Sequence, residues 1–427
     1  TTRHPWRHYR WRCRACRAPL HRTKRRRPGG TPPDKSAPKD LQHSPPLATL
    51  PVALHSLLAW NDLGVHALLF RMRLTIHLEA LMNEAFRGSG RLATMAMLGL
   101  LALQLECSGE VESVCVQPSA AERRAAAYLS REVRVWHGRN RCFSCHNNGD
   151  GARVLLWSQR FGLRADATAL KDSLRWLATP NAWQRNGSGE PFNDRKLATI
   201  QFALALEQAV GSGVMRDQTA LRQAGQMIVD YQDADGSWTT EIGSDRGSPT
   251  TYGKFLATAL LVNLLSRDRE RYRAALDRAE VWLAGAEPKS TVAAAALLLA
   301  GARHKKKTTD LPRCRTILDR NQAPDGGWGP DANSASEAFD TAVALLALRV
   351  QETSGATRRI QSGRAYLLHT QLVDGSWPET TRPALRDSYA QRVSTTAWAL
   401  QALVTTRPGR VPDGSSALQR SSRGNHK

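Results

Sequence analysis

Cysteine is scarce in this chain: seven in 427 residues cannot staple a protein of this size, so a disulfide framework is excluded as its main source of stability. Acidic residues are also few, 38 against 60 Lys and Arg, leaving a formal charge of +22. The excess is uneven. Residues 1–81 hold 15 basic and 4 acidic side chains, a balance of +11, and the remaining 346 residues carry the other +11. The body is therefore only mildly basic, and nucleic-acid binding is not expected of it. Apolar runs of membrane-spanning length are missing too. The longest apolar stretch of the first hundred residues, 47–81, is broken by His55, Asp62, His66, Arg71 and Arg73, which makes it too polar for a membrane-spanning helix.

What is present favours a large helical body. Hydrophobic residues make up 41%, enough for a sizeable core, and the second half is rich in Ala, Leu and Arg. Residues 1–46 are Arg-, Pro- and His-rich with no apolar period. Segment 1–81 is therefore expected to be a basic extension, disordered or translated from a start site placed too far upstream. Arg87 and Arg91 then precede the apolar run 92–103, with small residues at Ser108-Gly109. This order of basic, apolar and small residues in 82–109 is that of a secretory signal, and it implies a periplasmic or cell-envelope protein. The final stretch, 408–427, is expected to be a disordered tail.

Between these segments the chain repeats itself. Gln-x-x-Asp-Gly-small-Trp joints recur as Gln232…Asp235-Gly236-Ser-Trp238, Gln322…Asp325-Gly326-Gly-Trp328 and Gln371…Asp374-Gly375-Ser-Trp377. The first two are 90 residues apart and the last two 49, so one degenerate copy fits between the first two and the period is that of a helical hairpin. Ahead of each joint lies an amphipathic helix, and after it a helix apolar nearly all round, which must be buried on both sides. Pairing them predicts outer helices near 119–135, 167–178, 217–231, 271–284, 311–321 and 356–370. The inner ones fall near 151–162, 194–210, 251–266, 290–303, 337–350 and 388–405. Six hairpins over 119–407 can close into an all-α (α/α)6 toroid. In each joint Asp-Gly supplies a tight turn, Gln binds a helix-end group and Trp covers the joint.

These joints resemble the QW repeats of squalene–hopene cyclases and, more loosely, those of protein prenyltransferase β subunits. The resemblance implies a toroid with a ligand in its ring, a hydrophobic or amphiphilic small molecule, and peripheral membrane association. It also implies a proton donor in the middle of an Asp-x-Asp-Asp motif opening an inner helix. The matching stretch here is Glu337-Ala-Phe339-Asp340, with Phe339 where the donor falls, so that acid is missing. Glu337 and Asp340 share one helix face and stand either as an acid pair or as charges favourable to the helix dipole. Cys314, His304 and His369 do not lie at inner-helix starts, where a prenyltransferase zinc site would need them. Family geometry places Asp194, Arg195, Tyr252, Phe255, Phe339, Tyr389 and Trp398 around the ligand cavity. Such a mixed aromatic and charged set suits an amphiphilic or carbohydrate ligand as well as a polyprenyl one. Whether the toroid is an enzyme, a cyclase using another acid, or a non-catalytic scaffold stays open at this level.

One further motif stands apart. Cys142-Phe-Ser-Cys145-His146 is a c-type haem attachment pattern, in which two thiols one turn apart bond the porphyrin and the following His ligates iron. Haem attachment outside the cytoplasm agrees with the export segment. The motif lies, however, at the first outer-to-inner joint, with no room for a separate haem domain. A Cys142–Cys145 redox pair or disulfide and a metal site are the alternatives. A second CxxC, Cys13 and Cys16, lies in the basic extension.

Overall fold

The computed structural model describes residues 117–408, apart from 167, 187–191, 241–245, 302–309, 352–355 and 383–387. The basic extension, the signal-like segment, Cys13, Cys16, Cys107, Cys115, His304 and the C-terminal tail lie outside the described residues. Among the described residues no helix is long and apolar enough to cross a membrane.

Among the described residues, twelve α-helices alternate between an outer and an inner layer. The outer ones are α1 (Ala120–Asn140), α3 (Lys171–Leu177), α5 (Thr219–Asp230), α7 (Arg273–Gly285), α9 (Leu311–Asn321) and α11 (Ala356–Thr370). The inner ones are α2 (Ala152–Ser158), α4 (Arg195–Gly211), α6 (Gly253–Leu265), α8 (Thr291–Gly301), α10 (Ala338–Gln351) and α12 (Tyr389–Thr405). Each inner helix packs on the next, and α12 packs back on α2 and the turn that precedes it, so the inner layer is a closed ring. The composition of the two layers explains the sorting. Outer helix α5 buries only Ala220, Ala224, Gly225 and Ile228, a single stripe. Inner α6 and α8 bury nearly every residue, as helices with neighbours on both sides must. The chain is thus an all-α (α/α)6 toroid.

The three Gln–Trp joints share one geometry. The indole Nε1 of Trp238, Trp328 and Trp377 donates to the carbonyl of Ile228, Leu318 and Leu367, 2.8 Å in each case. These acceptors belong to the last turns of the preceding outer helices, where carbonyls lack intrahelical partners. The Trp backbone N–H donates to a threonine hydroxyl on the inner helix that follows, Thr258, Thr341 or Thr396. The Gln amide donates twice: to its own turn, and to the next outer helix, at Ala275, Arg359 and Ala121. Gly236, Gly326 and Gly375 have positive φ, and a Cβ there would collide with carbonyls of Arg278, Ser362 and Arg124 on those same outer helices. Each joint therefore binds three helices, and the last docks on the first outer helix. A fourth joint uses Trp alone: Trp183, 1% exposed, donates to the Trp176 carbonyl at 3.0 Å.

Candidate functional site

The first joint is built differently. Cys145–Gly151 forms a single π-helical turn running into α2, a distortion often found at functional sites. The Ser144 hydroxyl caps it, accepting from the N–H groups of His146 and Asn147. Gly149 lets α4 approach closely, since a Cβ would meet Gln201 Cβ at 2.9 Å. Gly151 does the same for Val133 of α1, at 2.9 Å. The turn thus presses into the ring and points His146, Asp150 and Arg153 inward from one helical face.

Asp150 is fully buried. Tyr252 Oη donates to its Oδ1, and Gln201 Nε2 donates to its Oδ2 at 2.8 Å. Arg153 Nε lies 3.6 Å from Oδ1, within ion-pair reach but beyond a hydrogen bond. Burial raises the Asp150 pKa, opposed by Arg153 and by hydrogen bonds from Tyr252, Ser394 and Gln201. Tyr252 reaches it from the start of α6 with φ of 56°, a conformation that costs a bulky residue on the order of 1–3 kcal/mol and recurs at functional sites. His146 is buried beside them, its Nδ1 hydrogen-bonded to Ser394 Oγ at 3.1 Å, and burial lowers its pKa to about 4. The Arg153 guanidinium lies 4.7 Å from the Trp398 ring centre. Trp398 in turn meets Tyr252 and Phe339 edge to face, at 5.7 and 5.8 Å.

Of the residues expected to line the cavity, the structure brings together Tyr252, Phe339 and Trp398, around Asp150 and Arg153. The others sit elsewhere. Asp194 caps α4 through Leu197 N at 2.8 Å, and Arg195 is exposed. Phe255 packs outward on Trp282 of α7, 5.2 Å between centres. Tyr389 stacks on Trp136 of α1 and donates to Glu132. Cys314 and His369 are on outer helices.

Glu337 and Asp340 do meet, but around a third residue. Arg382 Nη1 donates to Glu337 at 2.7 Å, Nη2 donates to Asp340 at 2.8 Å, and Nε donates to the Gly247 carbonyl at 3.0 Å. Gly247 precedes α6, which stands opposite α12 in the ring, so Arg382 reaches across the end of the ring where inner helices start. Asp340 is pushed up to about 7 by burial, with Arg382 pulling it down and Glu337 pushing it up. A carboxyl pair neutralised by a guanidinium is a clamp rather than an exposed acid.

The CxxCH residues do not fit an attached haem in this arrangement. His146 is 8% exposed and aimed at α12, and Cys142 is 1% exposed. Phe143 between them is sandwiched by His137 and Trp176 at 4.4 and 4.2 Å, so opening this segment for a porphyrin would mean breaking an aromatic stack.

Asp150, Gln201 and Arg153 were not singled out by sequence. Their signal was a polar face, His146–Asp150–Arg153 at helical spacing, leading into the apolar run Val154-Leu-Leu-Trp157.

No protein-family model and no curated protein matches the chain. Solved structures align with the chain at low similarity. One is a variant of the type II terpene cyclase MstE from Scytonema with geranylgeranyl dihydroxybenzoate, 14% identical over 68% of this chain and 97% of that one, TM-score 0.47. Another is ent-copalyl diphosphate synthase from Streptomyces platensis, 20% identical over 60% of this chain and 50% of that one, TM-score 0.38. A glycosidase is 10% identical over 68% of this chain and 99% of that one, TM-score 0.47.

Proposed function

We propose that the ring encloses a small amphiphilic ligand and acts on it by proton transfer, with Asp150 as the acid. The observation that carries this reading is a fully buried carboxyl at the heart of a closed apolar ring, ringed by donors. Burial raises its pKa and so favours the protonated form. Tyr252 and Gln201, with Arg153 nearby, stabilise the carboxylate left when the proton departs. A group that holds its proton yet has a stabilised conjugate base suits a general acid. The faces and edges of Tyr252, Phe339 and Trp398 offer the apolar part of the ligand an aromatic wall, and aromatic faces also stabilise developing positive charge.

The likeness to squalene–hopene cyclases supports acid-triggered chemistry on an unsaturated isoprenoid-type chain, with the acid moved from the Phe339 position on α10 to the first inner helix. The signal-like segment 82–109 supports export, which would place this chemistry at the cell envelope.

The test is infrared difference spectroscopy of the full chain, wild type minus Asp150→Asn, at pH 7. A protonated-carboxyl stretch that vanishes in the variant supports the reading. Its absence from the wild type at pH 7 refutes it. Turnover of squalene or a polyprenyl diphosphate, if found, should disappear in the same variant.

A further inference from the structure

We infer that the ring interior holds an anion subsite at Arg153, and that the ligand seats a carboxylate there. This rests on the ligand-binding reading above and names the class of ligand. Arg153 is 6% exposed. Its Nη1 donates to Gln401 Oε1 at 2.7 Å, while Nε and Nη2 have no hydrogen-bond partner among the described residues. Those two atoms form one edge of the guanidinium, the edge that receives a carboxylate through two parallel N–H···O bonds. An arginine has donors only, so this edge can be satisfied only by acceptors.

Among the described residues nothing supplies them. Asp150, the nearest acid, already accepts from Tyr252 and Gln201 and stands 3.6 Å away from Nε. Glu337 and Asp340 are held by Arg382. The ion pair to Asp150 is long and carries no hydrogen bond, so the Arg153 charge is poorly compensated, and a buried charge left so is costly enough that it is rarely kept without use. The neighbouring indole Nε1 of Trp398 is buried and unpartnered as well, a further donor beside the same guanidinium. Two parallel donors on a planar cation stacked on an indole select a flat, two-oxygen anion. A carboxylate meets that description better than a tetrahedral phosphate, which would leave oxygens unpaired in this setting. Gln201 Oε1, also unpartnered, adds an acceptor beside Asp150 for a hydroxyl of the same ligand.

The experiment is isothermal titration of the full chain with decanoate, benzoate and inorganic phosphate, on the wild type, Arg153→Met and Arg153→Lys. The expected result is carboxylate binding to wild type. Arg153→Lys, which keeps the charge and loses the two-point edge, should bind at least about tenfold more weakly, and Arg153→Met not measurably. Arg153→Lys keeps the test open should Arg153→Met fail to fold. No carboxylate binding to the wild type, equal binding by the Arg153 variants, or phosphate binding in preference to carboxylate would overturn the inference. Carboxylate binding through Arg153 without an Asp150 infrared band leaves this subsite standing and removes the acid. The band without binding does the reverse.

Discussion

Trp328→Ala is the sharpest test of how the ring is held. The indole is fully buried and lies so close to Gly363 of α11 that a Cβ there would meet its Cζ3 at 2.6 Å. Truncation removes a large apolar contact at a three-helix junction that cannot easily collapse, because α9, α10 and α11 are each fixed by other neighbours. Loss of a buried Trp side chain costs about 3–5 kcal/mol. It also strips the Leu318 carbonyl of its donor, adding about 1 kcal/mol. Trp328→Phe separates the two, since it keeps much of the area and loses only the N–H, for an expected loss of about 1–2 kcal/mol. Equilibrium urea unfolding followed by far-UV circular dichroism measures both. Trp282, half-buried on α7, serves as a control and should cost clearly less. A loss below 1 kcal/mol for Trp328→Ala, or no difference between it and Trp282→Ala, would mean that the joint does not carry the packing described.

Other outcomes follow from the same geometry. An imidazole whose pKa falls from 6.5 to about 4 on folding stabilises the fold above pH 6.5 and withdraws that contribution as pH falls through 4. Wild type should therefore lose on the order of 3 kcal/mol over that window. His146→Gln should flatten this acid limb in pH-dependent melting curves, and an unchanged limb would contradict the burial of His146. Gly236→Ala should destabilise by more than about 1 kcal/mol through its positive φ and the Arg278 carbonyl, measured by thermal melting; a neutral result would place that joint away from α7. Protein produced alongside a c-haem maturation system should give a negative pyridine haemochrome assay, because His146 and Phe143 are committed to internal contacts. Covalent haem would show that this segment takes another arrangement.

Much of the fold could be read from the chain because it repeats. Gln-x-x-Asp-Gly-x-Trp carries its own turn, cap and anchor within seven residues, so three copies announce three joints, and apolar helices between them announce the inner layer. Trp183 escaped notice because its joint lacks Gln and Asp-Gly. The centre was far less legible, since its partners are distant in sequence. Asp150 meets Tyr252 102 residues on, and Arg153 meets Gln401 248 residues on. Glu337 and Asp340 suggested chemistry by spacing alone, and only the arrival of Arg382 from another joint shows them tied down. The Asn147-Asn-Gly-Asp-Gly151 stretch reads as a loop of turn formers, yet packing between α1 and α4 folds it into a π-turn whose glycines admit those neighbours.

The docking of the last joint on the first outer helix has a topological consequence. Gln371 binds Ala121 of α1 as Gln232 and Gln322 bind their own successors, and Arg407 is tied to Glu122 near the start of α1. The two ends of the toroid are therefore neighbours, and no hairpin is first or last in space. A circular permutant, with the ends of the 119–407 body linked and new termini opened in an exposed turn such as 212–218, retains every joint. The order in which the hairpins are strung is a property of the polypeptide, and the ring itself fixes no hairpin as its beginning.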